Sequence, residues 1–252
     1  MSVPEPPLSE RIAATRRPAG RAVMHQRWAH LLFVHWVAPP GVLARLLPAG
    51  LELDTFEGRA FVGLVPFTVS AARPRWGPAV PSLSSFHEVN LRTYVHRGGR
   101  EPGVWFFSLD AASLLAVQGA RAWYHLPYRL AKIRMHVDRQ AACEVSYEAR
   151  RVWPGPVPAG CAVRYGPAGA VAPAVPGTLE HFLIERYVLY AASRGRLFQA
   201  RVHHAPYPVQ AATVVGLEET LCRAAGVSVT GPALPATYAR AVQVEIFPPV
   251  RA

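Results

Sequence analysis

Four polar side chains recur at every second position of FHEVNLRTYV, residues 86–95: Glu88, Asn90, Arg92 and Tyr94. A period of two places them on one face of a strand, with Val89, Leu91, Thr93 and Val95 on the other. Successive members of the row stand about 7 Å apart. Such a row is either a solvated strand face or one wall of a cavity. As a wall it offers one ligand a carboxyl for proton transfer, an amide, and a guanidinium that forks a carboxylate through two hydrogen bonds. Glu88 and Arg92 are too far apart along the strand to neutralise each other directly.

A second group lies in RAWYHLPYRLAKIRM, residues 121–135. Arg121, His125 and Tyr128 cluster about Pro127, a helix-to-strand corner where a loop can aim side chains into a pocket. His125 can exchange a proton near neutral pH, and Tyr128 is a weak acid and hydrogen-bond donor. The same stretch holds Lys132, the only lysine in the chain, which invites a covalent role. Lys132 alternates with Arg134, His136 and Asp138, opposite Ala131, Ile133, Met135 and Val137. That pattern assigns it to a solvated strand face, without the desolvation a nucleophilic amine needs.

His35 in FVHW is either a pocket wall residue or a core histidine with one hydrogen bond. Adjacent His203 and His204 point to opposite faces of a strand and cannot easily share an ion, so His204 is read as a pocket residue. His181 and Glu185 share a helix face without a third ligand nearby, so no metal site is expected. No P-loop, GxGxxG or GxSxG pattern occurs, and no cofactor is expected.

These residues need a rigid frame. The 25 prolines punctuate short apolar segments, which indicates many strands and loops: a β-rich α+β domain of mostly antiparallel strands with a few packed helices. Strands are expected at AHLLFVHWVA (29–38), at two segments within 51–71 joined around Glu57-Gly58, at 86–95 and at 103–111. Asp110 is the expected cap of the helix ASLLAVQGARAWY. Residues 153–177 are read as loops around one strand, CAVRY, and TLEHFLIERYVLYAAS (178–193) as the best helix in the chain. Residues 1–22 are expected to be a disordered tail and 23–252 a single domain.

The formal charge of +11 invites a nucleic-acid reading, but the arginines are scattered and no recognition motif accompanies them, so no nucleic-acid partner is expected. Cysteines 143, 161 and 222 are odd in number and form no CxxC pair, which suits a reduced, cytoplasmic protein. No apolar run is long enough to span a membrane, and no membrane partner is expected.

The ordered series LLFVHWVAP, GLELDTFEGRAFVGLVPF, FHEVNLRTYV, GVWFFSLDA, ARAWYHLPYRLA, GTLEHFLIERYVLY and VHHAPYPVQ resembles the YqjF-type family of bacterial proteins over residues 24–248. That family is grouped with the acetoacetate-decarboxylase-like superfamily, which implies a barrel or cone of strands with helices outside and assembly into homo-oligomers. The superfamily's best-known activity uses a lysine imine beside a second lysine. In the matching run, Pro127-Tyr128-Arg129-Leu130-Ala131, Tyr128 stands where the amine would be and Arg129 where its neighbour would be. A tyrosine forms no imine. The superfamily's catalytic glutamate is similar in setting to Glu88.

Together these readings describe a protein that binds a small carboxylated or aromatic molecule in an internal cavity. If it is an enzyme, decarboxylation, dehydration or isomerisation by Glu88, Arg92, Arg121, His125 and Tyr128 is expected, with His35, Asn90, Tyr94 and His204 binding the ligand. The alternative is a non-catalytic ligand-binding or stress-related protein of the same fold. A perturbed Glu88 carboxyl favours the enzyme; Glu88 paired to arginine in an apolar cavity favours the binder.

Overall fold

Runs rich in β-branched and aromatic residues, cut by proline and glycine, favour strands, and strands dominate the computed structural model, which describes residues 5–80, 84–140 and 144–252. Cys143 and residues 1–4 lie outside the described residues. In chain order the elements are α1 (Leu8–Ala14), β1 (Met24–Ala38), α2 (Pro40–Arg45), β2 (Glu52–Leu53), β3 (Ala60–Pro74), β4 (Phe86–Arg97), β5 (Arg100–Ala111), α3 (Leu114–Trp123), β6 (Tyr128–Val137), β7 (Val145–Trp153), β8 (Gly160–Ala172), α4 (Leu179–Ile184), β9 (Val188–Ser193), β10 (Arg196–His203), β11 (Val209–Glu219), α5 (Leu221–Ala224), β12 (Thr237–Ile246) and β13 (Val250–Arg251). Among the described residues no helix is long and apolar enough to cross a membrane.

The strands form one sheet in the order β13-β10-β9-β5-β6-β7-β8-β11-β12-β1-β3-β4-β2. Two further pairings, β4 with β5 and β10 with β12, return the sheet on itself. Strands β12, β1, β3, β4 and β5 therefore form a wall with a separate core on each side. Leu31 and Phe33 of β1 enter one core while Leu32 and Val34 enter the other; Val65 and Phe67 of β3 oppose Val62 and Leu64 in the same way. A strand buried on both faces reads as a near-continuous apolar run, which is how β1 and β3 read.

Three local expectations are corrected. The segment 178–193 is helical only over α4; its second half is β9, parallel to β5 and antiparallel to β10, because Val188, Leu189 and Tyr190 fit a buried pleated surface better than a helix. Asp110 does not cap α3: Ser113 does, its Oγ accepting from the Ala116 amide, while Asp110 is paired with Arg151. Within the stretch expected to be a tail, residues 8–14 form α1, tied to the body by Arg11 and by an Arg201 hydrogen bond to the Ala14 carbonyl.

Candidate functional site

One core is not filled. Between β1, β3, β4 and β5, with α3 across one end, lies a cavity of about 380 Å³ walled by apolar and aromatic side chains including Trp28, Phe33, Phe67, Phe106 and Tyr207. Two bulges shape it. In β1, Met24, Gln26 and Trp28 face the cavity, then Leu31 and Phe33; the change of parity falls at His30, whose φ is 53°. In β3, Val65, Phe67 and Val69 face it, then Ala72 and Pro74, with the change at Ala71, φ 51°. An extra residue in one strand re-aims every side chain beyond it.

The β4 row points into this space: Glu88, Asn90 and Arg92 all line the cavity, and Glu88 is only 3 % exposed. The solvated-face reading of the row is thus excluded by its burial. Tyr128, at the start of β6, donates its hydroxyl to Glu88 Oε2 at 2.9 Å. Burial pushes the Glu88 carboxyl up to about 8; the Tyr128 hydrogen bond opposes this and the nearby Asp110 carboxylate adds to it. The Tyr128 phenol is itself held well above its ordinary range by burial and by Glu88, so it remains a donor.

The sign of the pH dependence follows. A carboxyl that titrates near 4.5 when unfolded and near 8 when folded stabilises the fold most fully below about 4.5, and that contribution is lost as pH rises to about 8. Glu88→Gln removes the dependence. Thermal melts of the variant and the native protein should diverge as pH rises through this window, the variant becoming the more stable; curves that stay parallel would refute the burial argument.

The other end of the cavity is closed and ionic. Arg92 donates through Nη2 to the Leu183 carbonyl at 3.0 Å, and the Tyr94 hydroxyl donates to the same oxygen at 2.8 Å. His35 Nε2 lies 2.8 Å from the Tyr94 hydroxyl, and burial, with the Arg92 charge, holds the imidazole well below its ordinary range. Gly63 makes this contact possible, since a Cβ there would stand 3.0 Å from the His35 ring. Arg186 also lines the cavity; its Nε donates to the Phe182 carbonyl and its Nη1 to Asp54, which Arg11 grips with both Nη atoms at 2.6 and 2.7 Å.

Of the expected site residues, Glu88, Asn90, Arg92 and Tyr128 come together on the cavity, and His35 and Tyr94 stand behind its closed end. The others do not reach it. Arg121 donates to the Tyr128 carbonyl and lies over Trp153, and His125, at φ 55°, packs against Phe198. The positive φ turns His125 away, and the cavity is lined from α3 by Ala116, Gly119, Ala120 and Trp123 rather than by Arg121. His204 stacks on Tyr187 and donates through Nδ1 to the Ala205 carbonyl; burial lowers it to about 4, and it stands behind the cavity-lining rings of Tyr207 and Trp28. Lys132 is exposed on β6, and Arg129 turns to the carbonyls of Pro154 and Gly155. Sequence reasoning missed Arg186, Tyr207 and Trp28. A charged pair inside the apolar run FLIERYVLY was the available signal for Arg186.

The family model DUF2071, described as an uncharacterized conserved protein, matches residues 25–243. The chain belongs to the DUF2071 family. Within reach of this DUF2071 protein is the uncharacterized protein YqjF of Bacillus subtilis (strain 168), 37 % identical over 211 residues, which are 84 % of this chain and 85 % of the relative. Among solved structures it is similar to acetoacetate decarboxylase from Legionella pneumophila, with a TM-score of 0.62, 13 % identity, and coverage of 95 % of this chain and 94 % of that one. An acetoacetate-decarboxylase-like enzyme from Sphingomonas wittichii RW1 gives a TM-score of 0.61 at 16 % identity, covering 92 % and 94 %. The enduracididine biosynthesis enzyme MppR, complexed with the condensation product of pyruvate and imidazole 4-carboxaldehyde, gives 0.63 at 13 % identity, covering 92 % and 90 %. The DUF2071 chain has the acetoacetate-decarboxylase-like fold.

Proposed function

We propose that the chain binds a small carboxylated or aromatic molecule in the β4 cavity and acts on it by acid–base chemistry centred on Glu88, as in decarboxylation, dehydration or isomerisation. One observation carries the reading: a buried carboxyl, hydrogen-bonded to a tyrosine and not to an arginine, with its titration moved to about 8, lines a largely apolar cavity. A group that titrates near the working pH both gives and takes protons efficiently. Protonated Glu88 can give its proton to a leaving hydroxyl, which departs as water, and the resulting carboxylate can take a proton from the adjacent carbon. In an isomerisation the same oxygen removes a proton beside a carbonyl, the electron pair moving onto the carbonyl oxygen, and returns it elsewhere.

The reading is free of imine chemistry. Lys132 is exposed, and Tyr128 occupies the corner where the resemblance puts an amine. Carbonyl compounds suit the fold: MppR has also been solved complexed with pyruvate.

The test is hydrogen exchange. A panel of oxo acids in deuterated water, followed by proton NMR, should show exchange beside the carbonyl that falls by about 10²–10⁴-fold in Glu88→Gln. Equal rates in the two proteins would overturn the proposal. Borohydride treatment with the same acids should leave the chain's mass unchanged; trapping at Lys132 would reinstate the imine.

A further inference from the structure

The two ends of the cavity differ in charge, and the difference bears on what it holds. At the closed end Arg92 is 8 % exposed and, among the described residues, has no carboxylate partner: Nη2 donates to a carbonyl, Nε is buried without a partner there, and the guanidinium lies 5.8 Å from the rings of both Phe33 and Tyr94. Beside it, among the described residues, Arg186 has a buried Nη2 without a partner and shares its carboxylate, Asp54, with Arg11. Two guanidiniums thus share one carboxylate, and the third, Arg92, is bonded to a carbonyl instead. Glu185 does not redress this, being turned to the Tyr187 hydroxyl and the Tyr207 amide. A buried cation without a counter-charge is unfavourable unless an anion completes it.

The Glu88 end is the reverse. Glu88 is bonded to a phenol and feels the Asp110 carboxylate, and among the described residues no cation is in contact with it; Arg73, the further cation on the cavity lining, is exposed on β3.

We propose that the cavity takes an elongated monocarboxylate whose carboxylate is held by Arg92 at the closed end, remote from the carbon presented to Glu88. This rests on the acid–base reading of Glu88 for its reacting end only. Four residues of strand put the Cα atoms of Glu88 and Arg92 about 13 Å apart, with both side chains on the cavity face. Allowing a hydrogen bond's length at each end leaves about 7 Å, the reach of roughly six chain bonds. The wall between is apolar, with Phe33 and Phe106, and suits methylenes or a ring. A 3-oxo acid, whose carboxylate sits beside its reacting carbon, cannot engage both ends. With the carboxylate anchored, the chemistry narrows to proton transfer or dehydration at the far carbon.

The experiment uses the full chain and 7-oxooctanoate, its methyl ester, and 4-oxooctanoate, which has the same atoms with the carbonyl moved toward the carboxylate. Binding is read by tryptophan fluorescence and exchange beside the carbonyl by NMR. We expect the acid to bind about tenfold or more tighter than its ester, a preference lost in Arg92→Met, since a charged hydrogen-bonded pair is worth at least that factor. We expect exchange on 7-oxooctanoate to exceed that on 4-oxooctanoate by a similar factor. Equal binding of acid and ester to the native protein overturns the proposal whether or not the variant folds. Exchange that depends on Glu88 but favours 4-oxooctanoate overturns it while leaving the acid–base reading intact. A carboxylate preference that depends on Arg92, without exchange on either acid, keeps the anion site and removes the catalytic role of Glu88.

Discussion

Replacing Asp54 with alanine should cost about 3–5 kcal/mol of stability, the range expected when one member of a buried ionic cluster is removed. Asp54 is 0 % exposed and accepts from Arg11 at 2.6 and 2.7 Å and from Arg186 at 2.7 Å. Burial alone would raise its carboxyl, but Arg186 and Arg11 outweigh burial and hold it below its ordinary value. Removing it strands Arg186, whose side chain is buried between the rings of Phe182 and Tyr94, while the partly exposed Arg11 can turn toward water. Arg11→Ala should therefore cost much less than Asp54→Ala. Urea denaturation of the two variants checks the order. A loss below about 1 kcal/mol for Asp54→Ala would mean that the cluster relaxes freely.

The second large effect lies behind Glu88. Arg151 donates to Asp110 through Nε at 2.6 Å and Nη2 at 2.9 Å, and both side chains are buried. Asp110→Ala or Arg151→Ala alone should each cost about 3–5 kcal/mol, whereas Asp110→Leu combined with Arg151→Met should stand much closer to the native protein, because the double change leaves no unpaired charge. A double-mutant cycle measures the coupling, and additive losses would refute it. The pair also reaches the site. Asp110 raises the Glu88 carboxyl, so the double variant should titrate Glu88 at lower pH, a shift readable in the pH dependence of stability.

How far the sequence could be read is best judged residue by residue. The alternation of β4 located Glu88, Asn90 and Arg92 on one face, and the resemblance put Tyr128 at the corner where it meets Glu88. A row that lines a cavity and a row that meets solvent have the same period, so burial of the row was not legible locally. Nor was the shift of parity at His30, since nothing in a histidine announces a positive φ. Arg121 and His125 were misplaced because proximity in sequence to Pro127 says nothing about the direction in which the corner turns. The Asp54–Arg186 pair spans 132 positions and has no local signature. The expected helix over 178–193 failed because tertiary pairing with β5 and β10 overrode helical periodicity beyond Ile184.

The double-faced wall also governs how the molecule comes apart. Strands β1, β3 and β4 contribute alternate side chains to both cores, so neither core can melt while the other keeps its shape. Unfolding is therefore expected as a single cooperative event, with the backbone amides of the wall exchanging only through it, which native-state hydrogen exchange would check. The cavity that weakens one core is in this way backed by the buried cluster of the other, around Leu32, Leu64, Val89 and Tyr147. A hollow interior is kept by a full one on the reverse of the same strands.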